Sequence, residues 1–112
     1  MSESTFVLQK YDGTMILQER IQIISELGRY MAGNDPEWLA VRERAGRENI
    51  WFIPRFVDAA IAAIVENMLV PELLEKWTSH YKLPVDNPYP RRVGIVMAGN
   101  IPLVGFFDLL CV

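Results

Sequence analysis

Residues 91–112 read RRVGIVMAGNIPLVGFFDLLCV, and this segment differs in character from the rest of the sequence. The run VGIVM, at 93–97, is short, apolar and rich in β-branched residues, which is typical of a strand buried on both faces of a parallel sheet. AGNIP follows as a turn, and from Pro102 the chain is apolar on all sides except at Asp108, which predicts a helix packed inside a larger body. A strand, a turn and a buried helix begin a βαβ unit, which requires a second parallel strand. We therefore expect the chain to be the truncated amino-terminal part of a longer protein.

Residues 1–90 predict four amphipathic helices. Proline is favoured in the first helical turn, so Pro36 (after a capping Asp35), Pro54 and Pro71 mark the starts of the last three, the second running to about Gly46. The second helix is so charged that we expect it on the surface or between domains. In the other three helices the residues predicted to be buried recur at helical spacing. In chain order, the residues predicted to be buried are Leu17, Ile21, Ile24, Leu27 and Met31, then Trp38, Leu39, Val41 and Ala45, then Val57, Ala60, Ile61, Ile64, Val65 and Met68, and last Leu73, Leu74, Trp77 and Tyr81.

The segment LPVDNPYPRR separates these helices from the apolar carboxyl-terminal part. Its three prolines exclude helix and favour extended backbone, which predicts a domain boundary near residue 90. The predicted fold is therefore mostly α: a helical region over 1–90, then the first strand, turn and helix of an α/β domain, truncated at 91–112.

Composition narrows the possible partners. The chain has 112 residues, of which 51% are hydrophobic and 22% charged, as expected for a globular protein. A net charge of -3 gives no general attraction to nucleic acid or to anionic membranes. With one cysteine, Cys111, and one histidine, His80, the chain cannot form an internal disulfide or a closed zinc site. Without a signal sequence or an apolar run of about 20 residues, we expect a cytoplasmic protein with no membrane span and no metal.

The AGNIP turn is where chemistry is expected. Ligands of open α/β sheets bind where the carboxyl end of a strand leads into a helix. Gly99 allows close approach of a ligand, Asn100 presents an amide donor, and Pro102 fits the first turn of a helix. The same residues also form ordinary structural turns, so both interpretations remain open at this point.

Two segments resemble one family. VGIVMAGNIPLVGF resembles the first strand and turn of bacterial acyl-CoA reductases of the bioluminescence fatty-acid reductase type, and NIWFIPRFVDAAIAAI, from residue 49, resembles the stretch that precedes it. The resemblance implies an aldehyde dehydrogenase-like fold, in which residues 91–112 begin the α/β nucleotide-binding domain. It also implies that NADPH or NADH reduces an acyl-CoA or acyl-protein thioester to a fatty aldehyde, by way of a cysteine expected beyond Val112.

The resemblance also assigns site residues. Asn100 matches the asparagine that donates to the thiohemiacetal oxyanion and is the catalytic candidate. The cofactor-binding candidates match the backbone along the dinucleotide and are Val96, Met97, Ala98 and Gly99. Ala98 and Gly99 stand where aldehyde dehydrogenases usually carry Pro-Trp. Glycine in place of tryptophan opens the turn, so the resemblance does not fix the exact path of the cofactor.

The alternative is a stand-alone helical interaction module that forms homo-oligomers through its apolar carboxyl-terminal segment. In the reductase interpretation, residues 1–112 alone are expected to be inactive. Cys111 lies in an apolar run with no His or Lys neighbour to lower its pKa, so we expect a buried structural cysteine there.

Overall fold

The computed structural model describes residues 15–84, 89 and 91–112. Five helices occur in this part of the chain: α1 (Leu17–Ala32), α2 (Pro36–Glu48), α3 (Pro54–Met68), α4 (Pro71–Thr78) and α5 (Phe106–Cys111). The prediction of a mostly helical chain is confirmed. Part of the predicted boundary near residue 90 lies outside the described residues.

Local capping explains where the helices begin and end. The Asp35 carboxylate accepts hydrogen bonds from the backbone N–H of Glu37 at 2.9 Å and of Trp38 at 3.4 Å, so it satisfies two donors that no helical carbonyl can reach. Prolines at the first position of α2, α3 and α4 need no such partner. Helix α2 continues past the predicted end at Gly46, because the Asn49 N–H donates to the Ala45 carbonyl at 3.1 Å and closes one more turn.

The core lies between α1, α3 and α4. Helix α1 packs against both α3 and α4, and α2 packs against α3. The buried hydrophobic side chains are Ile21, Met31, Val57, Ile61, Ile64, Leu69 and Leu74. Six of these seven belong to the faces predicted to be buried, and Leu69 is the addition, because the chain turns inward after α3 ends.

Several predicted core residues are more exposed than expected. Helix α2 has no buried residue, which agrees with the prediction of a surface helix. Leu39 and Val41 were nevertheless predicted to be buried, and they are exposed because only one face of the helix packs on α3. Trp38 is half-buried, and its indole N–H donates to the Met31 carbonyl at 2.9 Å. The remaining side chains predicted to be buried but found exposed are Met68, Leu73, Trp77 and Tyr81. Helix α4 ends at Thr78, so the helical face predicted to include Tyr81 does not extend that far.

The prediction of a strand at 93–97 is wrong. Residues 93–98 form no regular secondary structure, and no strand occurs among the described residues. A strand is held by hydrogen bonds to a neighbouring strand, and this run has no such neighbour in the described chain. The helix predicted from Pro102 begins only at Phe106, because Leu103 (φ 61°) and Gly105 (φ 86°) adopt left-handed backbone that a right-handed helix cannot contain.

The carboxyl-terminal segment packs on the helices. Leu103, Phe106, Phe107 and Leu110 are half-buried against the core cluster. The rings of Phe107 and Trp77 lie 5.6 Å apart in a tilted arrangement that favours aromatic attraction. Helix α5 has no fully buried residue, so it covers the helical core from outside instead of filling the centre of a body.

None of the helices in the described ranges combines the length and the apolar character needed to cross a membrane.

Candidate functional site

The residues predicted to form the site, 96–100, lie together on one exposed segment. The side chains of Val96, Met97 and Asn100 and the backbone at Ala98 and Gly99 are all accessible, with Val96 fully exposed. Two grooves in the described surface, of about 310 and 460 Å³, are lined by residues of the helices and of the segments that flank them and by none of 91–112. The candidate residues therefore form an open surface and not a closed pocket.

A hydrogen bond connects this segment to the end of α2. The Asn49 side-chain amide donates to the Gly99 carbonyl at 2.8 Å, across 50 residues of sequence. The same side chain accepts a hydrogen bond from the Trp51 backbone N–H at 3.0 Å. The NIWFIP segment and the AGN turn are thus in direct contact.

Met97, which precedes the AGN turn at 98–100, packs against Gly105. Gly105 has φ 86°, a left-handed conformation that residues with a Cβ seldom adopt. A Cβ added there would lie 3.3 Å from the Met97 Cγ, which is tighter than ordinary van der Waals contact. The glycine therefore allows both the turn before α5 and the close approach of Met97.

Asn100 follows Gly99 in the turn and is exposed to solvent. An amide can donate a hydrogen bond to a developing oxyanion, and in a water-excluded site such a donor contributes about 2.7 to 4 kcal/mol to transition-state stabilisation. Where a hydrogen bond only replaces hydrogen bonds to water, its net contribution is about 0.5 to 1.5 kcal/mol. The larger value therefore requires that a further surface covers Asn100.

Cys111 is exposed, which corrects the expectation that it is buried. It is the last residue of α5, and the side chains that this helix turns toward the core are Phe106, Phe107 and Leu110. Partial burial of the thiol and, secondly, the Asp108 carboxylate raise the pKa of Cys111. A raised pKa reduces the thiolate population, which is unsuitable for a nucleophile.

Three other basic side chains have partners in the structure. The Arg42 guanidinium forms an ion pair with Asp58. Arg44 lies 3.9 Å from Glu48 on the exposed face of α2, as expected for a solvated helix surface. The His80 ring nitrogen Nδ1 lies 2.7 Å from the Lys76 carbonyl, at the end of α4.

Sequence reasoning missed Asn49 as an individual residue. Its position after a charged helix is a signal for a capping residue, and Asn commonly hydrogen-bonds its own backbone two residues ahead, as it does with Trp51. Its contact with Gly99 depends on how the chain returns from α4 and has no local signal in the sequence.

Comparison of the chain with models of protein families, with curated proteins and with solved structures finds no match.

Proposed function

We propose that the chain is the amino-terminal part of an NAD(P)H-dependent acyl-thioester reductase that converts an acyl-CoA or acyl-protein thioester to a fatty aldehyde. The observation that carries the proposal is the hydrogen bond from Asn49 to Gly99. It joins the two sequence segments that separately resemble the acyl-CoA reductases. A resemblance of two distant segments gains weight when those segments meet in space.

In this proposal Asn100 donates to the oxygen of the thiohemiacetal, and the backbone of Val96, Met97, Ala98 and Gly99 lies along the dinucleotide. The exposure of all five residues supports these roles, because a cofactor and a covering domain need access to them. The raised pKa of Cys111 disfavours this thiol as the nucleophile. The proposal therefore assigns the nucleophile to a cysteine elsewhere in the full-length protein. When bound, NADPH or NADH supplies the hydride.

The experiment is to express the full-length protein encoded by the gene and to measure NAD(P)H oxidation that depends on acyl-CoA, with the aldehyde identified as the product. We expect turnover in the full-length protein, none in residues 1–112, and unchanged turnover in full-length Cys111→Ser. Absence of acyl-CoA-dependent oxidation with both cofactors would reject the proposal. Loss of turnover in Cys111→Ser would reject the assignment of the nucleophile to another position.

A second function is favoured by one observation. Seven large apolar side chains of the carboxyl-terminal segment are exposed, and they are Val93, Val96, Met97, Ile101, Val104, Leu109 and Val112. Exposed apolar patches mark protein interfaces, so the alternative is a helical module that associates with itself through this segment.

Sedimentation of residues 1–112 distinguishes the two functions when paired with a matched substitution. Leu109 and Leu39 are exposed to similar extents, at 49% and 42%, on α5 and α2. A self-associating module should dissociate in Leu109→Asp and remain associated in Leu39→Asp. A wild-type chain that is monomeric at high concentration would reject the alternative.

A further inference from the structure

Asn49 uses every one of its polar groups. Its backbone N–H donates to the Ala45 carbonyl at 3.1 Å, and its own carbonyl accepts from the Phe52 N–H at 2.9 Å. Its side chain accepts from the Trp51 N–H and donates to the Gly99 carbonyl. The side-chain amide is therefore held on both ends, and it cannot rotate without breaking both hydrogen bonds.

The hydrogen bond from Asn49 to the Gly99 carbonyl holds the peptide group that joins Gly99 to Asn100. The Gly99 carbonyl and the Asn100 N–H belong to one planar peptide unit, so fixing the carbonyl direction fixes the plane from which the Asn100 side chain departs. Packing does not supply this constraint, because a Cβ placed on Gly99 would meet no atom within 4 Å. Glycine itself has the widest conformational freedom of any residue.

We infer that Asn49 is a positioning residue for the turn at 98–100 and, through it, for Asn100. The inference deepens the proposed function and rests on it for its catalytic consequence. Its structural content is independent: the Asn49 amide orders the Gly99–Asn100 peptide. Removing that one donor should release the turn while the helices stay folded.

The chain offers a matched pair of substitutions. Asn49→Asp keeps the oxygen that accepts from Trp51 but loses the donor to Gly99. Asn67→Asp makes the same chemical change, because the Asn67 amide donates to the Ala63 carbonyl at 2.9 Å. Both positions lie at the carboxyl-terminal end of a helix, so the unfavourable effect of a carboxylate on the helix dipole is common to both.

The first measurement is NMR relaxation of the backbone amides in residues 1–112. In Asn49→Asp we expect the order parameters of Gly99 and Asn100 to fall to about 0.6 or below, from about 0.85 for rigid backbone. Asn67→Asp should leave them at the wild-type values. Unchanged order parameters at Gly99 and Asn100 in Asn49→Asp would overturn the inference, whatever the enzyme does.

The second measurement is kcat and KM of the full-length protein. A misplaced catalytic group costs up to about a hundredfold in rate, so kcat should fall by about ten- to a hundredfold in Asn49→Asp with KM for acyl-CoA little changed. Equal losses of kcat in Asn49→Asp and Asn67→Asp would reject a positioning role. A wild-type protein without reductase activity rejects the proposed function but leaves the relaxation result as the test of Asn49.

Asn49→Ser covers the case in which the aspartate variant does not fold. Its hydroxyl can accept from the Trp51 N–H, and it ends one atom short of the amide nitrogen that reaches Gly99. The same loss of order at Gly99 and Asn100 is expected. Wild-type order in a folded Asn49→Ser would overturn the inference equally.

Discussion

Replacing Gly28 with alanine should loosen the contact between α1 and the chain that follows α3. Gly28 is buried, and a Cβ there would lie 2.8 Å from the Leu69 Cβ and 3.2 Å from the Leu69 carbonyl oxygen. Carbon atoms in contact are normally at least about 3.5 Å apart, so the two segments must separate by roughly 0.7 Å. Neither obstructing atom belongs to the flexible end of a side chain. Overpacking of this kind costs about 1 to 3 kcal/mol.

Two effects oppose each other in Gly28→Ala, and their relative sizes decide whether the free energy of unfolding rises or falls. Alanine in a helix interior is about 1 kcal/mol more favourable than glycine, so a cost near 2 kcal/mol leaves a net loss of about 1 kcal/mol. For a domain of this size that corresponds to a lower Tm by about 4 to 8 °C.

Thermal and urea unfolding of residues 1–112, followed by circular dichroism, measure the effect of Gly28→Ala. Gly33→Ala is the control, because a Cβ at Gly33 would meet its nearest atoms at 3.5 Å and its φ of -89° suits any residue. We expect the control to change the free energy of unfolding by no more than about 0.5 kcal/mol. A Gly28→Ala variant as stable as the wild type, or more stable, would refute the close packing of α1 on Leu69.

Two further predictions concern the carboxyl-terminal segment. In a double-mutant cycle with Trp77→Leu and Phe107→Leu, we expect a coupling of about 0.5 to 1.5 kcal/mol in the free energy of unfolding, from the contact between the two rings; strictly additive effects would show that α5 does not rest on α4. Alkylation of the Cys111 thiol should reach half its maximal rate at a higher pH in the folded chain than in the unfolded chain, because burial and Asp108 raise its pKa. Asp108→Asn should lower that midpoint, and an unchanged midpoint would remove Asp108 as a cause.

The sequence predicted the helices well where the determinants are local. Asp35 caps α2 through atoms two and three residues away, and prolines place the starts of α2, α3 and α4. Each of these signals depends on neighbours along the chain. The buried faces of α1 and α3 could also be predicted, because their buried side chains recur at helical spacing along the sequence. These side chains are Ile21, Met31, Val57, Ile61 and Ile64.

The errors occur where the structure depends on distant partners. VGIVM has the composition of a buried strand, but composition cannot provide the neighbouring strand that would pair with it. Leu39 and Val41 are apolar residues of α2, yet how much of this helix is covered depends on its angle to α3. Leu103 has a positive φ with no glycine to signal it, so the delayed start of α5 could not be predicted.

The candidate site was predicted in part. The sequence singled out 96–100 as one group, and these residues do lie on one exposed segment. The catalytic and cofactor roles of Asn100 and its neighbours stay predictions. The hydrogen bond from Asn49 was not predictable, because it joins residues 50 positions apart through side-chain chemistry that any surface asparagine shares.

The central claim is that Asn100 stabilises a developing oxyanion in a thioester reductase, and Asn100→Ala in the full-length protein tests it most directly. Asn100 is exposed, so the substitution removes no buried packing, and we expect an unchanged Tm. We expect kcat in single-turnover reduction of acyl-CoA to fall by about 10² to 10³, with KM little altered, because the lost interaction forms only in the transition state. A variant with a lowered Tm but normal turnover per folded molecule would contradict the claim and leave Asn100 as a residue that only supports its turn.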